Sequence, residues 1–143
     1  MRIKLGNLSI IVSIPLCCVM TAIILLDSSQ TVMLGCFSAL MHESGHLFFM
    51  WHFNSFPKEI KISLFDIAII DHKKFNRPLH QELLITLGGV MINLIFGSVC
   101  FALYLIFKYN FLIVLSVTNI LLLIYNLLPI DTLDGGQALY LIL

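Results

Sequence analysis

The sequence predicts an all-α integral membrane bundle of about four transmembrane helices, with a small membrane-associated β-hairpin between the second and third. Apolar residues make up 59% of the 143 residues and charged residues 11%, whereas soluble domains have about 45–50% and 25%. Four long stretches lack Lys, Arg and Asp, and each reaches the roughly 20 residues that span a hydrocarbon core as a helix. The predicted spans are 8–26, 31–53, 80–107 and 111–130.

The two ends of the chain are predicted to be helical as well. Arg2 and Lys4 precede the first span as in a signal peptide, but no A-x-A-like cleavage site comes before Asp27. We therefore expect a retained helix there. Pro129 interrupts the fourth span because proline removes a backbone hydrogen bond, and a broken helix is expected to continue over 134–143. Residues 1–143 should form a single membrane-embedded core.

The polar loop between the second and third spans carries a strand pattern. Ile60, Ile62 and Leu64 recur at every second position, which predicts a β element over about 59–70. Its edges either pair within a simple hairpin or accept an extended peptide. The run 76–78, which contains a proline, predicts the start of the next helix.

The basic residues predict the orientation in the membrane. One side of the four-span topology carries Arg2, Lys4, Lys58, Lys61, Lys73, Lys74 and Arg77, and the other carries Lys108. Because cytoplasmic loops are enriched in Lys and Arg, the N terminus and the 54–79 loop should be cytoplasmic. The net charge is zero, and no nucleic-acid partner is predicted; the composition indicates a lipid bilayer as the partner.

The second span contains the H-E-x-x-H pattern of zinc peptidases, formed by His42, Glu43 and His46. In a helix, the i and i+4 spacing brings both imidazoles to one face, and Glu43 lies about 100° from His42, within reach of a water beside a metal. Ionisable groups inside a bilayer are costly and usually functional. A buried, hydrogen-bonded histidine pair without a metal is the alternative interpretation.

A catalytic zinc site generally needs three protein ligands and an open position, so a third ligand must come from elsewhere. The best candidate is Asp134, which precedes Gly135 and Gly136 just after the break at Pro129. Broken helices at membrane depth occur where they line a cavity or a site. Asp131 competes for this role but lacks the glycines that follow Asp134 directly.

Asn93 is an amide in the third span, close to Gly88 and Gly89. It is a candidate donor of a hydrogen bond to a developing oxyanion. An interhelical hydrogen bond that only fastens the bundle is the alternative.

With these motifs in place, the chain resembles the site-2 protease family of intramembrane zinc metalloproteases. Three motifs carry the resemblance, in the family's order: His42-Glu43-Ser44-Gly45-His46, Gly89-Val90-Met91-Ile92-Asn93, and Asn126-Leu127-Leu128-Pro129 followed by Leu133-Asp134-Gly135. Within the family it is most similar to the sporulation stage IV FB proteins, on the strings at 76–79 and 126–130.

The resemblance implies one Zn²⁺ per chain, bound by His42, His46 and Asp134, with Glu43 as the catalytic base. It implies that Asn126 and Pro129 belong to a substrate-contacting break. The orientation predicted from the basic residues places the opening of the active site toward the cytoplasm. It also implies a membrane-associated protein substrate, such as a pro-sigma factor in sporulation, and membrane inhibitor proteins as partners.

The sequence departs from the family's pattern in three places. Val90 replaces the usual proline after Gly89, Thr132 replaces a common proline before Leu133, and the printed sequence stops at Leu143 without a nucleotide-sensing module. Two other functions stay open. A transmembrane metal transporter also carries His and Glu within its spans, and a catalytically inactive relative would keep the fold in order to bind a client.

Overall fold

The computed structural model describes residues 2–5, 8–27, 30–55, 57, 59–62, 67–70 and 77–143. Within them, helices dominate and the strands are short. The strands are β1 (Arg2–Leu5), β2 (Leu8–Val12), β3 (Glu59–Ile62) and β4 (Ile67–Ile70). The helices are α1 (Ile14–Leu26), α2 (Thr31–His52), α3 (Leu79–Thr86), α4 (Gly88–Phe107), α5 (Asn110–Asn126) and α6 (Asp134–Ile142).

The four strands form one sheet in the order β1-β2-β3-β4. β3 pairs antiparallel with β4, inside the predicted β element at 59–70, and β2 pairs parallel with β3. Because parallel neighbours need a crossover, the α1–α2 helical pair connects β2 to β3. The predicted polar loop also includes 63–66 and 71–76, which lie outside the described residues.

The first predicted span is corrected by the structure. Residues 8–12 form strand β2, and α1 has only 13 residues. At 1.5 Å per residue, α1 is about 20 Å long, which is shorter than a hydrocarbon core. Residues 8–12 are a strand because they pair with β3, which lies far away in the sequence. An apolar run of this length has no local pattern that distinguishes a strand from a helix.

The third predicted span, 80–107, is two helices rather than one. α3 ends at Thr86 and α4 begins at Gly88, with Leu87 between them at φ −87° and ψ 0°. The fourth predicted span is also shorter than expected, since α5 ends at Asn126. In both cases glycine or proline lies at or just beyond the break, and the freed backbone lies beside other helices.

α4 is the central helix of the bundle and packs against both α2 and α5. α3 contacts α2, α4 and α6, so this short helix packs between α6 and the helices α2 and α4. A buried ion pair between Arg77 Nη1 and Glu82 Oε2, at 3.3 Å, fixes the start of α3. Between α1 and α2, Asp27 Oδ2 accepts a hydrogen bond of 2.7 Å from the backbone N–H of Val32 in the first turn of α2.

Several polar side chains are buried in the interior, and many large apolar side chains are exposed on the outer surface. The largest fully buried side chains are Asn93, Asn119 and Ser38. Large apolar side chains are instead exposed on α2, α4 and α5, including Leu40, Phe48, Leu94, Ile95, Val99, Leu105, Ile106, Leu121 and Ile124. Soluble proteins rarely expose so many large apolar side chains, and hydrocarbon is the solvent that would accept them. The outer surface is therefore suited to a lipid environment.

By length and composition, one helix of the described residues qualifies as a membrane span. It is α4, with 20 residues and a mean hydropathy of 2.3. α5 is also apolar but has 17 residues. The histidines and Glu43 lower the hydropathy of α2, although its 22 residues are long enough to span.

Two glycines let α2 and α4 approach each other closely. A Cβ atom added to Gly45 would lie 2.6 Å from the carbonyl carbon of Gly88, and one added to Gly88 would lie 2.7 Å from the carbonyl oxygen of Gly45. Backbone therefore meets backbone at this crossing. Small residues at helix contacts are how membrane helices gain packing without a hydrophobic driving force.

Two glycines of α2 give a matched test of this crossing. Gly35→Ala should stabilise the fold by about 0.5–1 kcal/mol, because alanine favours the helix and no atom of the described residues lies within 4 Å of the added methyl group. Gly45→Ala should destabilise it by about 1–3 kcal/mol, because the helices must separate. Thermal unfolding in detergent measures both. If the two substitutions had equal effects, the crossing of α2 and α4 would have room for a methyl group at position 45.

Candidate metal centre

His42, His46 and Asp134 meet between α2 and the first turn of α6. The Nε2 atoms of the two histidines lie 3.2 Å apart. Asp134 Oδ2 lies 3.2 Å from His42 Nε2 and 3.4 Å from His46 Nε2. With metal–ligand distances of about 2.0–2.2 Å, the ligand atoms of a tetrahedral zinc site are separated by about 3.3–3.6 Å. The three atoms therefore have the spacing of three corners of such a site.

The tautomer of His46 is fixed by its surroundings. Its Nδ1 atom lies 2.8 Å from the carbonyl oxygen of Ile85, which can only accept a hydrogen bond. Nδ1 must therefore carry a proton. In the neutral ring, Nε2 then has a free lone pair, and that lone pair is on the atom nearest to Asp134.

This arrangement leaves electron-pair donors facing each other. Asp134 Oδ2 is a buried oxygen without a hydrogen-bond partner in the described part of the chain, although it lies close to both imidazoles. A buried acceptor left unpaired costs about 1–3 kcal/mol, and more when it is charged. A cation between the three atoms would satisfy all of them at once. The donor set, two neutral imidazoles and one carboxylate, is one that zinc takes in catalytic sites.

The break between α3 and α4 builds part of this site. The last four carbonyls of a helix have no partner within it, and Ile85 is in the last turn of α3. His46 satisfies its carbonyl oxygen. Just beyond the break, a Cβ atom at Gly89 would lie 2.5 Å from both His42 Cε1 and His46 Nε2. Only glycine leaves room there for the two rings.

Of the two candidate aspartates, the structure brings Asp134 to the histidines. Asp134 is buried as the first residue of α6, where the helix dipole favours its negative charge, whereas Asp131 is exposed in the preceding turn. Gly135 and Gly136 follow Asp134, and Cβ atoms there would meet the backbone of Leu127 and Ile130. The expected close approach of backbone at these glycines is present.

Glu43 lies next to His42 in α2 and is half-buried. It is close enough to His46 to interact with it electrostatically. Glu43 is not one of the three residues whose ligand atoms converge, and its role as a base stays a prediction.

The remaining predicted site residues lie around this centre. Asn93 Nδ2 is 3.0 Å from Nδ1 of His42, the ring nitrogen that does not face Asp134. Asn126 donates a hydrogen bond of 3.0 Å to the carbonyl oxygen of Leu122 within its own helix, and Pro129 is exposed in the turn before α6. Their contact with a substrate stays a prediction.

Sequence reasoning missed two features of the site. One is the Ile85 carbonyl, which no side-chain pattern reveals because it is backbone. The other is the role of Gly89, although the adjacent glycines at 88 and 89 could have indicated a break in the third span.

No protein-family model and no curated protein matches this sequence. Among solved structures, the chain is similar to a site-2 protease from Methanocaldococcus jannaschii, with a TM-score of 0.76 and 23% sequence identity over 99% of this chain and 70% of that one. The two chains share a fold. At this identity the likeness concerns the fold alone, so the chemistry must be inferred from the site itself.

Removal of ligand atoms should remove the metal. We expect about one zinc per wild-type chain purified in detergent, and a strongly reduced content in His42→Ala, His46→Ala and Asp134→Ala, since two donors hold zinc poorly. Asp131→Ala is the matched control and should keep its zinc because this carboxylate is exposed. Elemental analysis measures the content. Loss of zinc in Asp131→Ala but not in Asp134→Ala would reverse the assignment.

Proposed function

We propose that the chain is an intramembrane zinc metalloprotease that cleaves a peptide bond within or beside the membrane segment of a protein substrate. One observation carries the proposal: two imidazole nitrogens and a carboxylate oxygen converge at 3.2–3.4 Å inside a bundle whose outer surface is apolar. The H-E-x-x-H motif supports hydrolysis, and the fold shared with a site-2 protease supports the location.

Zinc bound by these residues would polarise a peptide carbonyl and make water acidic enough to lose a proton near neutral pH. The residues of this chain do the rest. Glu43 accepts a proton from the attacking water and delivers it to the amine that leaves. His46 is held by Ile85, so its Nε2 lone pair stays directed at the metal position.

The substrate must reach this site in an extended form, because a helix hides its carbonyl groups in hydrogen bonds. Among the described strands, β4 is at the edge of the sheet and has β3 as its neighbour. We propose that an extended segment of the substrate pairs with this edge. A pro-sigma factor as substrate, and membrane proteins as inhibitors, are supported by the resemblance of the strings at 76–79 and 126–130 alone.

The rival functions predict other behaviour. A metal transporter needs a continuous polar path, and next to the metal centre the interior contains Ser38 and Asn119, which hydrogen-bond each other at 2.9 Å. Neither side chain is ionisable. Uptake of zinc by vesicles that contain the protein would favour transport, and bound zinc without cleavage of any client would favour an inactive binding protein.

Glu43→Gln separates chemistry from binding. Glutamine is nearly isosteric with glutamate and cannot accept the proton, so this variant should keep its zinc and fold but cleave at least roughly 10²–10⁴-fold more slowly. The measurement pairs elemental analysis with cleavage of a co-expressed membrane-associated substrate, for which a pro-sigma factor is the first choice. Full activity in Glu43→Gln would remove the proposed base while leaving the zinc site intact.

We further propose that the protein crosses the membrane several times, with its N terminus and the opening of the site at the cytoplasmic face. A cysteine in place of Lys73, in a background without native cysteines, should react with an impermeant reagent only from the cytoplasmic side. A cysteine in place of Tyr109, between α4 and α5, should react only from the opposite side. The reverse labelling pattern would invert the topology.

A further inference from the structure

We infer that Asn93 is the positioning residue of His42, and that its side-chain carbonyl oxygen holds the imidazole in the tautomer that presents Nε2 to zinc. The inference rests on the proposed zinc site and adds a residue to it. Asn93 is fully buried in α4, and its amide nitrogen Nδ2 lies 3.0 Å from His42 Nδ1. Within the residues that the structure describes, its Oδ1 atom has no hydrogen-bond partner.

The two histidines differ in how their Nδ1 atoms are held. His46 faces a backbone carbonyl, which enforces a proton on Nδ1. His42 faces a carboxamide, which offers a donor on one side and an acceptor on the other. The tautomer of His42 therefore depends on which way Asn93 is turned.

With Nδ2 toward the ring, Asn93 donates to Nδ1, and the proton of His42 lies on Nε2. His42 Nε2 then carries a hydrogen that lies toward His46 Nε2, 3.2 Å away, and has no lone pair for a metal. In this orientation Oδ1 has no hydrogen-bond partner among the described residues.

A half-turn of the carboxamide exchanges its oxygen and nitrogen with almost no change in shape. Oδ1 then accepts a hydrogen bond from Nδ1–H, and the lone pair of Nε2 faces the same point as those of His46 and Asp134. Histidines that bind metals generally donate their other N–H to an oxygen in this way. Zinc binding thus selects the orientation with the oxygen toward His42.

Asn119 provides an internal control of the same residue type. It is fully buried in α5, and it donates hydrogen bonds to Ser38 Oγ at 2.9 Å and to the Leu115 carbonyl at 2.8 Å. Among the described residues, its Oδ1 atom has no partner and its amide does not bond to an imidazole. Substituting it tests the effect of removing a buried amide from the bundle without touching His42.

The experiment compares zinc dissociation constants of the whole chain in detergent by competition with a chromophoric chelator. Asn93→Leu should weaken zinc binding about 10–100-fold, the usual effect of losing the partner of a metal-binding histidine. Asn93→Asp supplies only acceptor oxygens, so it should bind zinc as tightly as the wild type or more tightly. Asn119→Leu should leave the constant unchanged. Thermal unfolding of the metal-free proteins shows which variants fold.

Each outcome bears on one claim. Absence of zinc binding in the wild type would sink the proposed function itself. If the wild type binds zinc and Asn93→Leu binds it equally well, the positioning role is wrong while the function stands. If Asn93→Asp binds zinc as weakly as Asn93→Leu, or if Asn119→Leu binds it as weakly as either, the effect comes from packing and not from an acceptor oxygen. Should Asn93→Leu fail to fold, Asn93→Ala replaces it in the same comparison.

Discussion

The structure depends on one electrostatic constraint: three electron-pair donors point at a common position inside an apolar bundle. His46 Nε2 and Asp134 Oδ2 are 3.4 Å apart, and neither can donate a hydrogen bond to the other while the ring is neutral. Such a contact persists only if a proton or a metal ion lies between the atoms. The tetrahedral spacing of the three donors favours the metal.

The helices are shaped by the need to bring these donors together. Gly45 and Gly88 let α2 and α4 cross with their backbones in contact, and the break at Leu87 turns the Ile85 carbonyl toward His46. The turn after α5 places Asp134 at the start of α6. Each of these features weakens a regular helix locally, and each positions one atom of the site. A buried ion pair between Arg77 and Glu82 holds the start of α3.

The sequence predicted which side chains meet at the centre better than it predicted the course of the backbone. His42 and His46 follow from helical spacing, and Asp134 follows from its Pro and Gly neighbours, because these signals are local. The strand at 8–12 and the break at Leu87 could not be predicted from the sequence. A uniformly apolar run has no pattern that distinguishes a strand, one helix and two helices. The parallel pairing of β2 with β3 depends on contacts across some 50 residues, which no local pattern records. The contact between Asn93 and His42 could be found only from the structure, because the sequence suited Asn93 equally well to bind an oxyanion.

X-ray absorption at the zinc edge tests the central claim most directly, because it reads the atoms around the metal. For the zinc-loaded protein we expect two imidazole nitrogens at about 2.0–2.1 Å and the remaining positions filled by oxygen. A sulfur neighbour at about 2.3 Å would place the metal on a cysteine instead. A shell without imidazole scattering would equally contradict a centre built on His42, His46 and Asp134.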